Sequence, residues 1–287
     1  MATLRHIRRR IASVRSTQQI TKAMKMVAAA KLRKAQNRLE STRPYAGEMA
    51  EVIGHLAAQL KRKKHPLIEQ RRKQDQICFV LITADKGLCG SFNTNIIRRL
   101  DGEWEACTAP EKYLVTVGRK GNDFFRRRRF TIINHYMDVF KELEFKHAQT
   151  IASELIRLYT AKKADRILVV HSHFKSAAQH EVVVEQFLPI QPVIRDRERF
   201  PVGFIFEPNP MKILDEICPR HLDVQMWRML LENNTSEFAA RMTAMETATE
   251  NAGDMIKELV LFYNKARQAA ITKELNEIVG GAEALKG

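Results

Sequence analysis

The chain has 287 residues, of which 48 are Lys or Arg and 33 are Asp or Glu, giving a formal net charge of +15. With 45% hydrophobic and 28% charged residues it reads as globular, which excludes low-complexity and collagen-like classes and leaves room for one or two domains. No window holds the roughly 18 consecutive apolar residues of a membrane span, and the opening MATLRHIRRR lacks the apolar stretch of a secretory signal. A soluble, cytosolic-facing chain is expected, with attachment to a membrane complex left open.

The charge is uneven along the chain. Residues 1–76 hold 19 basic and 5 acidic side chains, a balance of +14; residues 77–210 hold 20 and 16; residues 211–287 hold 9 and 12. Such asymmetry marks the first segment as a surface for an anionic partner.

In that segment, alternating steps of four and three from Ile7 to Leu60 visit sixteen positions, twelve of them apolar. A 3.5-residue spacing held this long predicts a coiled-coil seam over 1–60. Pro44 removes one backbone donor inside the pattern, so a kink or short break is expected there. A basic linker, 61–76, follows.

Between Gln76 and about Pro208 the periodicity changes. Runs rich in β-branched residues at Ile77–Thr83, Tyr113–Val117, Ile167–His171 and Val182–Ile190 predict strands. Asn93–Cys107, Gly121–Arg129 and His147–Lys163 read as helices. Alternating strands and helices imply a mostly parallel, Rossmann-like α/β domain over 77–208.

The loop Asp85–Ser91 follows the first strand and opens a helix, the place where open sheets bind phosphate. It matches neither GxGxxG nor GxxxxGK[ST], so a tight turn or protein contact is favoured over a nucleotide site. Cys89 has no His or carboxylate neighbour in sequence and is a poor candidate nucleophile. Cys78, Cys89, Cys107 and Cys218 form no CxxC pair, so neither structural zinc nor a redox dithiol is expected. His171 and His173 are expected to point to opposite faces of their strand, and so not to share a metal.

From Val224 the same four-three step reaches Ala270, with eleven of fourteen positions apolar, then slips by one residue to Ile271, Leu275, Ile278 and Ala282. A helix from about His221 to about Val279 is predicted, within a C-terminal segment 209–287. Its slightly acidic character favours antiparallel pairing with the basic N-terminal helix. Gln18, Thr21, Lys25, Arg228, Thr235 and Thr249 interrupt the two seams and read as register devices.

The basic runs Arg8–Arg10, Lys61–Lys64, Arg71–Lys73 and Arg126–Arg129 leave a nucleic-acid-binding coiled-coil protein as the alternative. No aromatics are interleaved with them, and no nucleic-acid-binding signature is present.

Residues 11–36 (IASVRSTQQITKAMKMVAAAKLRKAQ), RPYA at 43–46, LITADKGLCGSFN at 81–93, FIFEPNP at 204–210 and the stretch from Ala239 to Leu285 together resemble the gamma subunits of bacterial F-type ATP synthases. The likeness runs the whole chain in order and is weakest over 100–200. It implies an antiparallel coiled coil of the terminal helices with a Rossmann-like domain inserted between them, acting as the central-stalk rotor. One copy would turn inside the alpha3beta3 hexamer, with the epsilon subunit and the c-ring at its foot, coupling proton flow to ATP synthesis.

The resemblance further implies a non-catalytic subunit, peripheral on the cytoplasmic face of the bacterial inner membrane. It would hold no cofactor or metal, ATP, ADP and Mg being bound by alpha and beta, and would bind no nucleic acid. By likeness of position, Arg267 and Gln268 grip a beta-subunit loop, and Met24, Arg241, Lys86 and Cys89 lie near the acidic beta lever. Phe204 and Phe206 stand at the c-ring and epsilon foot, while Ile271, Leu275, Ile278 and Val279 turn in an apolar sleeve. Lys25 sits beside Met24 where relatives can carry a carboxylate. The inserted dithiol of chloroplast gamma subunits has no counterpart here, so thiol regulation is not expected.

Overall fold

The computed structural model describes residues 4–59, 65–128, 130–177, 179–192, 207 and 209–284. Leu60, the run Lys61–Lys64, Arg129, Phe204 and Phe206 lie outside the described residues. The elements in chain order are α1 (Leu4–Gln59), β1 (Gln76–Ile82), α2 (Phe92–Ala106), β2 (Glu111–Val117), α3 (Arg119–Phe125), β3 (Ile132–Tyr136), α4 (Phe145–Thr160), β4 (Arg166–Phe174), β5 (His180–Leu188) and α5 (Pro210–Ala284). They form two compact units, one of residues 1–28 with 242–287 and one of residues 29–241.

In the first unit α1 and α5 run antiparallel. Every seam position of α1 there is buried or half-buried, and so is every seam position of α5 from Met242 to Ala270. The polar interruptions meet one another across the pair. Gln18 Nε2 donates to the Thr249 carbonyl at 3.4 Å, the Thr249 hydroxyl lies 2.8 Å from that of Thr21, and Lys25 Nζ pairs with Glu246 at 2.5 Å. Gly253 faces this layer: a Cβ there would lie 3.0 Å from Gln18 Nε2, so the small residue lets the helices approach closely. Arg8 stacks over Tyr263, four residues from the start of α1, and from Arg267 onward α5 is exposed through Ala282 except at Ala270.

The second unit is a five-stranded sheet in the order β3-β2-β1-β4-β5. The pairs β1–β2, β1–β4 and β2–β3 are parallel and β4–β5 is antiparallel. Alternate residues of a strand face opposite sides. Phe79 and Leu81 therefore join Phe92, Ile96, Leu100 and Phe125 in one core cluster, while Cys78 and Val80 turn to the other side and are equally buried. Helix α4 covers its site with Ile151, Ala152 and Leu155, and a capping box between Glu144 and His147 fixes its start two residues earlier than predicted.

Strand β3 is an addition to the predicted set. Its burial alternates half-buried and exposed, so its apolar content is diluted by Asn134 and His135. The turn from β2 to α3 requires Gly118: φ is +93° there, and a Cβ would fall 2.1 Å from the Thr83 carbonyl.

Two helix predictions need correction. Helix α1 runs through Pro44 without a break, because buried Leu39, Ala46 and Ile53 on both sides hold it against the loss of one hydrogen bond. Helix α5 starts at Pro210, well before His221, and contains Pro219. Leu214, Cys218 and Leu222 form a fully buried stripe around that proline, and their burial outweighs its helix-breaking cost.

The basic segment after residue 64 is partly fastened down. Arg71 donates to Asp165 at 2.8 Å and stacks over Tyr159 at 4.4 Å, and the Tyr159 hydroxyl donates to the Glu69 carbonyl at 2.8 Å. Arg128 lies 3.9 Å over the Phe124 ring and pairs with Asp101. These guanidiniums are engaged within the chain, which weakens the case for a free polyanion-binding patch.

Candidate functional site

The carboxyl ends of β1, β2 and β3 converge on Asp85. Its carboxylate accepts the backbone N–H groups of Arg119 at 3.0 Å, Asp138 at 3.1 Å and Phe140 at 3.2 Å. An open sheet would offer such donors to a phosphate; here a side chain of the protein already takes them, and a phosphate would meet a fixed negative charge. The loop is a structural knot with an exposed rim. Lys86 and Leu88 project from it, Leu88 at φ +63° and 66% exposed.

Behind the rim, Arg241 of α5 donates to the Gly87 carbonyl at 3.1 Å and pairs with Glu237 one turn earlier. Burial pushes the Glu237 carboxyl up, and the Arg241 charge pulls it back only in part. Lys31, Lys86, Lys141 and Arg241 line a groove of about 390 Å³ with Asp85, Asp138 and Glu237. Lys86, Cys89 and Arg241 are thus brought together. The Cys89 thiol is buried, accepts from Asn93 Nδ2 at 3.2 Å and is raised by that burial, so it holds the loop and is poorly suited to attack a substrate.

Met24, Arg267, Gln268 and the four apolar residues near the end of α5 lie in the first unit. Met24 is half-buried beside the Lys25–Glu246 pair. Arg267 and Gln268 are exposed, and Ile271, Leu275, Ile278 and Val279 form an uncovered apolar stripe, 48%, 56%, 67% and 60% exposed.

The second unit also holds a polar cluster. Residues two apart on a strand share a face, so the expectation that His171 and His173 diverge is corrected: both turn toward α5. His171 Nε2 lies 3.2 Å from Glu185 of β5, and His173 Nδ1 lies 2.8 Å from Glu232 of α5. Ligand atoms of His171, Glu185 and Glu232 lie within 4.8 Å of one another, close enough for a cation. Arg228 fills that role with its guanidinium, which pairs with both Glu185 and Glu232. Burial alone would raise Glu185, but the bond from His171 and the Arg228 charge hold it well below the carboxylate range. The sequence signal was present in the i, i+4 spacing of Arg228 and Glu232 and in the polar run Glu232–Glu237 within an apolar helix.

The full length of the chain can be compared with known proteins on this footing. A family model described as ATP synthase matches residues 3–285. Curated relatives named ATP synthase gamma chain are 47% identical in Chlorobium phaeobacteroides, covering 100% of both chains, and 44% identical in Chloroherpeton thalassium, covering 100% of this chain and 99% of the relative. The chain belongs to the ATP synthase gamma-chain family. Among solved structures, the central stalk and c-ring of the Tetrahymena thermophila mitochondrial ATP synthase includes a chain 26% identical, with a TM-score of 0.61 over 80% of this chain and 99% of that one. A chain of the Euglena gracilis mitochondrial OSCP/F1/c-ring assembly is 24% identical, with a TM-score of 0.70 over 98% and 94% of the two chains, a likeness of fold. These likenesses give the nucleic-acid alternative no support. No helix among the described residues is long and apolar enough to cross a membrane.

Proposed function

We propose that this gamma chain is the central rotor of a bacterial F1Fo ATP synthase, coupling ion flow and c-ring rotation to the nucleotide cycle of the beta subunits. One copy stands within an alpha3beta3 hexamer, with epsilon and the c-ring at its foot, on the cytoplasmic face of the inner membrane. It is non-catalytic by itself and leaves ATP, ADP and Mg to alpha and beta. The observation that carries this reading is the end of α5. Its apolar seam continues past Ala270 through Ile271, Leu275 and Ile278, yet this stretch is exposed along its length. A stripe with few directional bonding groups suits an apolar collar in which it turns, and Arg267 and Gln268 just below it are free to bond a beta-subunit loop.

Met24, Lys86 and Arg241, with Cys89 holding the loop that presents Lys86, are the residues we assign to the beta lever. Phe204 and Phe206 are assigned to the foot. In energetic terms the shaft is a ligand whose contact energy differs among the beta conformations, so turning it moves those differences around the ring.

Affinity purification of a tagged chain from its native membranes tests the proposal. Alpha, beta and epsilon subunits should co-purify, and the isolated chain should hydrolyse no ATP. Hydrolysis by the chain alone at the rate of the complex would overturn it.

A further inference from the structure

Nine consecutive residues of α5, Met229–Glu237, are buried, so the helix is enclosed on all sides there, and six of the nine are polar. An apolar set of similar volume would enclose a helix at lower desolvation cost. What the polar set adds is direction. Arg228 bridges Glu185 of β5 and Glu232 of its own helix, while His171 and His173 of β4 close on the same two carboxylates at 3.2 and 2.8 Å. One turn on, Asn233 Oδ1 accepts the Ser172 N–H at 3.2 Å and Ser236 Oγ donates to the Ser172 carbonyl at 3.4 Å. These contacts fasten one side of α5 to β4 and β5 through both side chains and strand backbone.

Apolar packing resists separation of a helix from a sheet but constrains the helix weakly against turning about its own axis. Hydrogen bonds weaken steeply as their angle departs from linear, and a guanidinium held by two carboxylates has one orientation that satisfies both. We propose that Arg228, Glu185, Glu232, His171 and His173, with Asn233 and Ser236, form a torsional lock that prevents α5 from rotating about its axis against the sheet, so that torque applied to the sheet is delivered to the helix. The inference rests on the rotor reading and deepens it. These are positioning residues that touch no nucleotide. A metal at His171, Glu185 and Glu232 would have to displace the Arg228 guanidinium, and the lock would then be lost.

The test uses native membranes carrying the assembled synthase. In one variant Arg228→Met, Glu185→Met and Glu232→Leu replace the ionic core with apolar side chains of similar volume; in a second, Arg228→Lys keeps the charge and loses the fork. Chain content of the complex, melting temperature, ATP hydrolysis and protons pumped per ATP are measured together. We expect both variants to assemble, melt with the wild type and hydrolyse ATP, while protons pumped per ATP fall about twofold or more as the joint slips.

Unchanged pumping per ATP in either assembled variant would overturn the lock, as would a loss of pumping that only follows a lower melting temperature. If neither variant assembles, the network serves folding and the proposal fails. If the wild-type chain is absent from the synthase, the rotor reading fails first and the lock with it, an outcome seen before any variant is made.

Discussion

Arg267 and Gln268 are exposed side by side on α5, where the Gln268 carbonyl also accepts the Thr272 hydroxyl at 3.0 Å. Replacing both with Ala therefore removes little from the fold, and the unfolding free energy should stay within about 0.5 kcal/mol of wild type. If they grip a beta loop, charge-assisted bonds worth about 1.5–3 kcal/mol each disappear from the complex, and ATP synthesis in membranes should drop sharply; unchanged synthesis removes them from the site. His221 is the opposite kind of residue, buried and deep in the second unit. Burial, then the nearby Arg228 charge, lower its ring to about 4 from the ordinary 6.5. The unfolded chain accepts a proton that the folded chain refuses, so this contribution is complete above pH 6.5 and is lost as the pH falls toward 4, on the order of 3 kcal/mol. His221→Gln should flatten the stability curve of the purified chain across that window. His65 and His180, which burial also lowers, add slope of the same sign, while Glu237 and Asp223, which burial raises, add slope of the opposite sign. Glu185 acts later: its folded value is depressed, so its contribution holds above the ordinary 4.5 and fades only below it. A curve equally steep in wild type and variant would show that His221 is not the titrating group.

At the scale of elements, the 3.5-residue spacing can be checked residue by residue. Leu39 lies on the α1 seam at 1% exposure, while Ile20, off the seam, is 57% exposed. Leu39→Ala should cost about 2–5 kcal/mol and Ile20→Ala no more than about 0.5, a contrast read directly by denaturant melts. The seams and most of the parallel sheet were legible because one physical rule, apolar burial at a fixed period, sets both. Strand β3 was not, since an edge strand with one face in solvent carries Asn and His where an inner strand carries Val. The early start of α5 was hidden by Pro219, whose local preference opposes a helix that tertiary burial then imposes. The residues around Asp85 and Arg241 lie 156 positions apart in the chain, so their meeting depends on the sheet and is silent in any local pattern. For the same reason the pairing of Arg228 with Glu185 could be found only once β5 and α5 were packed together, although the i, i+4 pairing with Glu232 could have been read beforehand.

For the molecule as a whole, part of the balance of +14 over residues 1–76 stands on the surface of the described residues. Within the first unit Lys25 pairs with Glu246 across the helices, while Arg5, Arg9, Arg10, Arg15 and Lys22 are exposed. This leaves a basic face in the first unit, which would suit acidic partner surfaces if the chain turns inside a hexamer as proposed. The same logic applies to the end of α5, where the exposed residue is apolar instead of charged. Because Ile271, Leu275, Ile278 and Val279 are open in the chain alone, they contribute little to its folding and remain available to a collar or to self-association. Deleting residues 271–287 should therefore leave the unfolding free energy within about 0.5 kcal/mol of the full chain, while binding of a hydrophobic dye and concentration-dependent association both fall. If Lys86 and Arg241 contact the beta lever as proposed, the shortened chain should still be held in membranes but turn with less support at its tip, so ATP synthesis should decline with the complex still assembled. A truncated chain that melts several degrees lower would mean instead that the tip folds back on the chain and is no bearing surface.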